Sequence, residues 1–202
     1  MKIDKKIARR SFLAASSFFG ISLFNNRSSS QDSPEPNLFN QELGDELRVR
    51  RVVTGHHSDG RSRVDIDEIN TETLSRREGH QSATIWSTGV FPADNQVEED
   101  GSKRSLATSD PNGTVFRIGK YDPGVAPRNH RTESIDYAVV LSGEIHMGLD
   151  DGVVHLRQGD VLVQKGTMHN WENRGNIPCV IAFILCAAKP LVFGGEVISA
   201  EG

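Results

Sequence analysis

Short apolar runs alternate with turn residues over the second half of the chain, from Thr114 onward. Each run is rich in β-branched side chains, which favour strands. Glycine, proline and aspartate separate the runs, for example at Asp122-Pro123-Gly124 and Asp150-Asp151-Gly152. We predict strands over Thr114–Ile118, Tyr137–Leu141, Glu144–Leu149, Val153–Leu156, Val161–Gln164 and Pro178–Cys186. Strands this short at this spacing indicate an antiparallel sandwich or barrel.

The strand pattern is weaker between residues 47 and 113. Leu47–Val53 and Ser62–Ile66 flank the turn sequence His57-Ser58-Asp59-Gly60, which predicts a hairpin, and Gln81–Ser87 is a further candidate strand. Asn95–Gly113 is polar and acidic, and its length is unusual for a passive connection, so it predicts either a lid or a disordered segment. We therefore expect an N-terminal β extension and loop over 47–112, a barrel over 113–190 and a C-terminal tail over 191–202.

Residues 1–30 have the pattern of an export signal. Basic residues between Lys2 and Arg10 precede the uncharged run Phe12–Phe24, which suits a signal core and is short for a membrane span. Arg9-Arg10-Ser11-Phe12-Leu13 resembles the twin-arginine export motif. An ordinary signal and a basic tail are the alternatives. We expect an exported, periplasmic protein with a flexible linker over 31–46 and no stable membrane span beyond the signal segment, which is either removed or kept as an anchor.

Charge is distributed unevenly along a chain of otherwise ordinary composition. Hydrophobic residues make up 36% and charged residues 25% of the sequence, as in globular proteins. Six of the 23 basic residues but one of the 27 acidic residues lie in 1–30, so the remainder carries a net charge of −9. An acidic body of this kind argues against nucleic acid as a partner.

Two cysteines fall within one predicted strand. Cys179 and Cys186 are seven residues apart, which at ~3.3 Å per residue separates them by roughly 23 Å in an extended chain. A disulfide needs Cα atoms within about 7 Å. We predict that both thiols are unpaired.

The first half of the predicted barrel resembles a cupin signature. Gly124 is followed after five residues by His130, with Thr132 two residues later, Asp136 after three more and Gly143 after six more. This spacing is that of the first cupin motif throughout. Thr132 replaces the second histidine of that motif, and Asp136 replaces its glutamate.

A second cupin signature follows in the expected order. Gly159-Asp160 begins a predicted strand, and Gln164-Lys165-Gly166 precedes His169 and then Asn173 at the family spacing, with only the proline of that motif lost. The two matches together imply an all-β cupin fold, a double-stranded β-helix or jelly-roll barrel, with the N-terminal β extension added to it.

The resemblance implies a divalent-metal pocket made by His130, Asp136 and His169. Because His130, Thr132 and Asp136 are separated by even numbers, they share one face of an extended chain. Two imidazoles and one carboxylate suit Fe, Mn or Ni, with Zn also considered, and leave positions open for a substrate. Thr132 would act through a neighbouring group or a bound water, and Glu133 is a substitute ligand only if the strand bulges. Because Thr132 replaces the second histidine of the motif, the alternative that this chain has lost the metal site stays open.

Other side chains near these motifs have weaker signals. Trp171 lies two residues after His169, so it is predicted in the cavity wall. Arg131 and Lys165 flank the ligand candidates and would suit an anionic group, although solvated surface charge is the commoner role. His80 begins a predicted strand and is a candidate for the barrel mouth.

A narrower resemblance, over residues ~49–190, is to single-domain bacterial and fungal cupins, and some of the fungal members are called cupin-domain oxidoreductases. Arg51-Val52-Val53-Thr54-Gly55-His56 and Pro92-Ala93-Asp94-Asn95 contribute to it. It implies a metal-dependent oxidoreductase or dioxygenase acting on a small organic substrate. A ligand-binding or sensing protein and a cupin lyase, isomerase or decarboxylase are the alternatives. We also expect a homodimer formed through Leu47–Ile66, because pairing covers an exposed sheet edge.

Overall fold

The structure is a computed structural model that describes residues 46–202. The predicted export signal and all but the last residue of the predicted linker lie outside the described residues. The described part consists of strands, turns and loops, and it contains no helix. The strands are β1 (Val49–His56), β2 (Ser62–Asn70), β3 (Leu74–Arg77), β4 (His80–Ser87), β5 (Thr114–Tyr121), β6 (Ser134–Ser142), β7 (Glu144–Leu149), β8 (Gly152–Arg157), β9 (Val161–Lys165), β10 (Asn170–Glu172), β11 (Cys179–Ala187), β12 (Leu191–Phe193) and β13 (Glu196–Ile198).

Two antiparallel sheets form the barrel. The larger has the strand order β3-β4-β5-β11-β6-β9, and the smaller has the order β10-β7-β8. Because β11 pairs with both β5 and β6, a strand late in the chain closes the sheet between two earlier ones. This crossing connection is typical of jelly-roll barrels. The fold is therefore the all-β double-stranded β-helix that the sequence predicts.

The predicted hairpin at the N-terminal side is confirmed. β1 and β2 pair antiparallel from Val49↔Asn70 to His56↔Ser62, with a bulge after Val53. Leu47, just before β1, is fully buried, and its backbone N–H donates to Gln81 Oε1 at 2.7 Å. Burying a leucine side chain contributes about 1.5–3 kcal/mol. The extension is thus packed against the outer face of the large sheet.

Two apolar clusters stabilise the large sheet, one on each face. The inner cluster lies between the two sheets and includes Ile145, Trp171 and Ile181. The outer cluster joins Leu47 to Ala182 and their neighbours on β4 and β5. Such two-sided burial explains why β11 is apolar at nearly every position rather than alternating.

The long segment between β4 and β5 is held at several points. Arg51 of β1 donates two hydrogen bonds to Asp100, Nη1 to Oδ1 at 2.6 Å and Nη2 to Oδ2 at 2.8 Å. Ser87 Oγ donates to the carbonyl oxygen of Gly101 at 2.6 Å, and Thr108 reaches the barrel cavity. Of the two alternatives predicted for Asn95–Gly113, these contacts oppose disorder: the segment has a defined conformation, and Thr108 brings one part of it to the cavity.

Residues 191–202 follow the barrel and contain a further hairpin. β12 and β13 pair around Gly194-Gly195, and both glycines have positive φ. Beyond β13, Glu201 forms two backbone hydrogen bonds with Arg131, at 2.8 and 3.0 Å. The end of the described chain therefore lies beside the segment that carries His130.

Cys179 is buried and Cys186 half-buried, and both are free thiols, as predicted. In residues 46–202 no helix has the length and hydropathy needed to cross a bilayer.

Candidate functional site

A cavity lies inside the barrel, against the inward face of the large sheet. The space in the cavity and in front of its open mouth, bulk solvent included, totals about 850 Å³. All the predicted inward-facing residues of the two motifs reach it: His130, Thr132, Asp136 and His169 line it, as do Trp171 and His80. The even spacing from His130 to Asp136 therefore predicted a common cavity face correctly.

His130 and His169 are neighbours across an isolated backbone bridge. The N–H of each residue donates to the carbonyl oxygen of the other, at 2.9 and 3.0 Å. Their ring centroids are 4.2 Å apart with an interplanar angle of 46°. The bridge thus brings one imidazole from each motif to the same place.

Backbone carbonyls hold both imidazoles through Nδ1. His130 Nδ1 lies 3.0 Å from the carbonyl oxygen of Arg128, and His169 Nδ1 lies 3.0 Å from that of Thr167. A carbonyl oxygen only accepts, so these contacts favour a proton on Nδ1 and a free lone pair on Nε2. This arrangement is the one that metal-binding histidines usually have.

Gln164 adds a competing contact at His169. Its side-chain Nε2 lies 2.8 Å from His169 Nδ1 and donates to the carbonyl oxygen of Thr167 at 3.0 Å. The backbone N–H of Gly166 donates to Gln164 Oε1, which fixes the orientation of the amide. An amide donor beside Nδ1 favours a lone pair there, and so a proton on Nε2. Two tautomers of His169 are therefore supported by its surroundings.

Asp136 is buried, and hydroxyl groups engage both of its carboxylate oxygens. Ser134 Oγ donates to Oδ1, and Thr132 Oγ1 donates to Oδ2 at 3.2 Å. Burial raises the pKa of Asp136, while these two hydrogen bonds oppose that rise. Thr132 thus orients the carboxylate, a role consistent with the supporting function expected of it.

Burial keeps the imidazoles neutral at ordinary pH. It lowers the pKa of His130 to about 4, and the neighbouring His169 adds to this effect. Burial also lowers the pKa of His169. The ring nitrogens of both residues are therefore available as neutral donors or acceptors.

Aromatic and apolar side chains form the rest of the wall. Trp171 packs edge-on against His169 at 5.7 Å between ring centroids and against Phe183 at 5.5 Å. The ring of Tyr121 packs against that of His80 with 4.9 Å between the centroids and a tilt of 54°. The cavity therefore offers an apolar surface beside a small polar group, as small-molecule sites usually do.

Three residues considered beside the motifs lie away from this cavity. Glu133 Oε1 accepts a hydrogen bond from the N–H of Ala200, and Arg131 forms an ion pair with Glu201 at 3.1 Å. Lys165 is exposed and does not line the cavity. The structure thus places none of the three beside Asp136.

Known proteins are similar to this chain in sequence and contain the same type of domain. Over 163 residues the chain is 36% identical to a phomopsin biosynthesis cluster protein of Diaporthe leptostromiformis. The aligned residues cover 76% of this chain and 86% of that relative. It is 34% identical to the cupin-domain-containing oxidoreductase fogC of Aspergillus ruber, over 74% of this chain and 77% of that protein. The model of the type-2 Cupin domain family matches residues 117–186 of this chain.

This chain belongs to the cupin superfamily. Among solved structures, KdgF from a Halomonas species is similar to this cupin at 18% identity and a TM-score of 0.39, over 57% of this chain and 87% of KdgF.

Cupins commonly bind a metal, and the donors present here fit one only in part. The two imidazoles have the Nδ1 contacts that suit metal ligands. Each oxygen of Asp136 accepts one hydrogen bond from a hydroxyl group and keeps a lone pair. Within residues 46–202 no three His, Cys, Asp or Glu side chains converge closely enough to hold a metal ion. Metal binding by His130, Asp136 and His169 stays a prediction.

Sequence reasoning missed the basic side chains of this cupin cavity. Arg76 and Arg77 from β3, Arg117 from β5 and Arg128 from the loop before His130 all line it. β3 was not predicted. Arg117 lies on the same face of β5 as Gly119 and Tyr121, which also line the cavity. Because β5 has apolar residues on both faces, the sequence alone does not show which face points inward.

Proposed function

We propose that this cupin is a metal-dependent enzyme that oxidises or reduces a small organic molecule inside its barrel. The observation that carries the proposal is the pair of imidazoles with Nδ1 beside a backbone carbonyl oxygen, next to a buried carboxyl group in a cavity with aromatic side chains in its wall. The name of the Aspergillus ruber relative, a cupin-domain-containing oxidoreductase, supports the reaction class.

The residues of the cavity have distinct parts in this proposal. Trp171 and Phe183 bind the apolar body of the substrate, and their edge-on contact holds both rings in place. His130 presents the lone pair of Nε2 to the cavity, because a backbone carbonyl oxygen holds its Nδ1. His169 does the same in the tautomer that donates from Nδ1 to the carbonyl oxygen of Thr167. Thr132 orients Asp136. A divalent metal bound by His130, His169 and Asp136 would supply redox or Lewis-acid chemistry.

A second candidate function is binding of an organic ligand without metal. The placement of the side chains favours it, since no three His, Cys, Asp or Glu side chains of residues 46–202 converge closely enough to hold a metal ion. In this alternative the same cavity serves to carry or sense a molecule.

Metal analysis of the purified full chain distinguishes the two functions. Protein is incubated separately with iron, manganese, nickel and zinc, desalted, and its metal content is measured by mass spectrometry. The proposal expects close to one metal per chain in wild type. His130→Ala and His169→Ala should each weaken metal binding by orders of magnitude, because few protein ligands remain. Thr132→Ala should retain the metal with a loss of about 10- to 100-fold in affinity at most.

Two further variants make the experiment decisive. Thr132→His adds an imidazole beside Asp136 and should tighten metal binding. His146→Ala is the matched control, because His146 stacks on His155 at 4.2 Å between ring centroids and does not line the cavity. If wild type, Thr132→His and His169→Ala all carry the same negligible metal, the metal-dependent enzyme is refuted and the ligand-binding function stands.

A further inference from the structure

Four guanidinium groups line a cavity that has a single acidic residue in its wall. Arg76, Arg77, Arg117 and Arg128 contribute the positive charges, and Asp136 is the acidic residue. This local excess is opposite in sign to the net charge of the described part of the chain. The barrel therefore concentrates positive charge where the proposed substrate would lie.

Arg77 and Arg117 lack an acidic partner. Among residues 46–202, no carboxylate forms an ion pair with either guanidinium, and the Nε of each is buried without a hydrogen bond. Arg77 lies over the ring of Tyr121 at 6.0 Å from its centroid, and Arg117 Nη2 donates a long hydrogen bond, 3.5 Å, to the carbonyl oxygen of Ala107. Both side chains thus retain unused donors at the cavity.

The unpaired charges act on one another and on their neighbours. Burial lowers the pKa of Arg117, and Arg76 beside it lowers that pKa further. Burial lowers the pKa of His80 to about 4, with additional contributions from Arg77 and Arg117. Arg77 and Arg117 are half-buried. A cation that is partly withdrawn from water is costly unless it is paired, so an anion entering this cavity would relieve part of that cost.

The ladder registers set the distance between Arg117 and Asp136, which both line the cavity. Arg117 pairs with Phe183, which pairs in turn with Ala138, and Asp136 lies two residues along from Ala138. Two strand spacings of ~4.8 Å and two residues at ~3.3 Å place the backbones of Arg117 and Asp136 roughly 12 Å apart. Phe183 lies on the strand between them, so an apolar body bound between the arginine and the carboxyl group would contact its ring.

We infer that the cavity binds a small organic acid, with its carboxylate held by Arg117 and Arg77 and its apolar or aromatic body against Phe183 and Trp171. Guanidinium groups pair with carboxylates through two parallel hydrogen bonds, which fixes orientation as well as charge. The inference rests on the proposed function in naming the substrate class of the same site.

Binding of a minimal organic acid tests the inference directly. Benzoate and its neutral counterpart benzamide are titrated separately into the full-length chain, in a low-salt buffer free of other organic anions, by calorimetry. Benzoate should bind at least about 10-fold more tightly than benzamide. Arg117→Gln and Arg77→Gln should each weaken benzoate binding by about 10- to 100-fold, because each removes charge-assisted hydrogen bonds, and should leave benzamide binding nearly unchanged.

Arg174→Gln is the matched control, since Arg174 is exposed and forms an ion pair with Glu172. Equal affinities for benzoate and benzamide, or benzoate affinity that is the same in wild type and Arg117→Gln, would overturn the inference. Inorganic phosphate is the third probe. If it binds as tightly as benzoate through the same arginines, the cavity recognises any anion and the organic part of the inference fails.

A measurement without ligand adds an independent test. Because Arg117 is a half-buried cation without an acidic partner, Arg117→Met should unfold at the same temperature as wild type or higher in low-salt buffer free of organic anions. Saturating benzoate should raise the unfolding temperature of wild type above that of Arg117→Met. A lower unfolding temperature of Arg117→Met without ligand would show that the arginine stabilises the fold instead of serving a ligand.

Failure of this inference can be distinguished from failure of the proposed function. All titrations are repeated on protein treated with a chelator and on His169→Ala. Arginine-dependent benzoate binding in these samples, together with negligible metal uptake by wild type, would keep the inference while the metal-dependent enzyme fails. Metal binding with no preference for benzoate would do the reverse.

Discussion

Asp100→Asn should loosen the segment between β4 and β5, because the Asp100 side chain joins that segment to β1. Its two oxygens accept from Arg51 Nη1 and Nη2 at 2.6 and 2.8 Å. The Arg51 side chain is only 1% exposed, and that of Asp100 is 24% exposed. Asparagine retains the size of the side chain but removes the charge and turns one acceptor into a donor.

The expected loss follows from what remains around Arg51. Removing one partner of a buried ion pair costs about 3–5 kcal/mol. Glu68 still accepts from Arg51 Nη2, and the carbonyl oxygen of Ile85 accepts from Nη1, so the guanidinium is not left without partners. With these contacts and partial exposure of Asp100, we expect a loss of about 2–3 kcal/mol in the free energy of unfolding. For a domain of this size that lowers the unfolding temperature by roughly 5–10 °C.

Urea denaturation followed by circular dichroism measures this loss. Asp67→Asn is the matched control, since it makes the same change in the exposed ion pair of Asp67 with Arg50, where side-chain exposures are 46% and 53%. Such surface pairs contribute at most about 1 kcal/mol. A loss for Asp100→Asn no larger than that for Asp67→Asn would refute the role assigned to the buried pair.

The pH dependence of the same difference has a defined sign. Hydrogen bonds from Arg51 hold the pKa of Asp100 well below its ordinary value of 3.8. A carboxyl group whose pKa is lower in the folded state contributes stability above its unfolded pKa and loses it as the pH falls toward the folded value. The advantage of wild type over Asp100→Asn should therefore be constant near neutral pH and should shrink below about pH 4.

Three further experiments test other parts of the chain. Gly143→Ala should lower the free energy of unfolding, measured by urea denaturation, by at least about 2 kcal/mol, since Gly143 has a φ of 72° and a Cβ there would meet a backbone carbonyl oxygen at 2.5 Å. Gly124→Ala is the control: Gly124 has a φ of 75° with open space around it, so the loss should be about 1 kcal/mol. Arg9→Lys combined with Arg10→Lys should block export in cell fractionation, and normal export would exclude the twin-arginine route. Light scattering at micromolar concentration should show a homodimer, as expected from pairing through Leu47–Ile66, and a monomer would contradict it.

The barrel and the inward face of its first motif could be predicted because they depend on local spacing. Even separations among His130, Thr132 and Asp136 place them on one side of any extended strand. Their convergence with His169 depends on a backbone bridge between distant segments. Residue spacing alone cannot predict that bridge, and the resemblance to cupins was needed to place His169 in the same cavity.

The elements that were missed are short or depend on long-range register. β10 has three residues between loops, too few for an alternating pattern to show. Gly194-Gly195 between two apolar runs is a hairpin signal that the sequence did offer for β12 and β13. Arg117 could be placed in the cavity only after its pairing with Phe183 fixed which face of β5 is inward.

The burial of Cys179 gives this protein a built-in reporter of its own opening. The thiol has no exposed surface, and burial raises its pKa to about 12, whereas a cysteine in an unfolded chain has a pKa near 8.5. An alkylating reagent therefore modifies Cys179 almost solely in molecules whose β11 has detached. When closing is faster than alkylation, the alkylation rate divided by that of a free thiol equals the equilibrium constant for opening. Since the sequence holds only two cysteines and Cys186 is partly exposed, mass spectrometry resolves the two reactions without any engineered label.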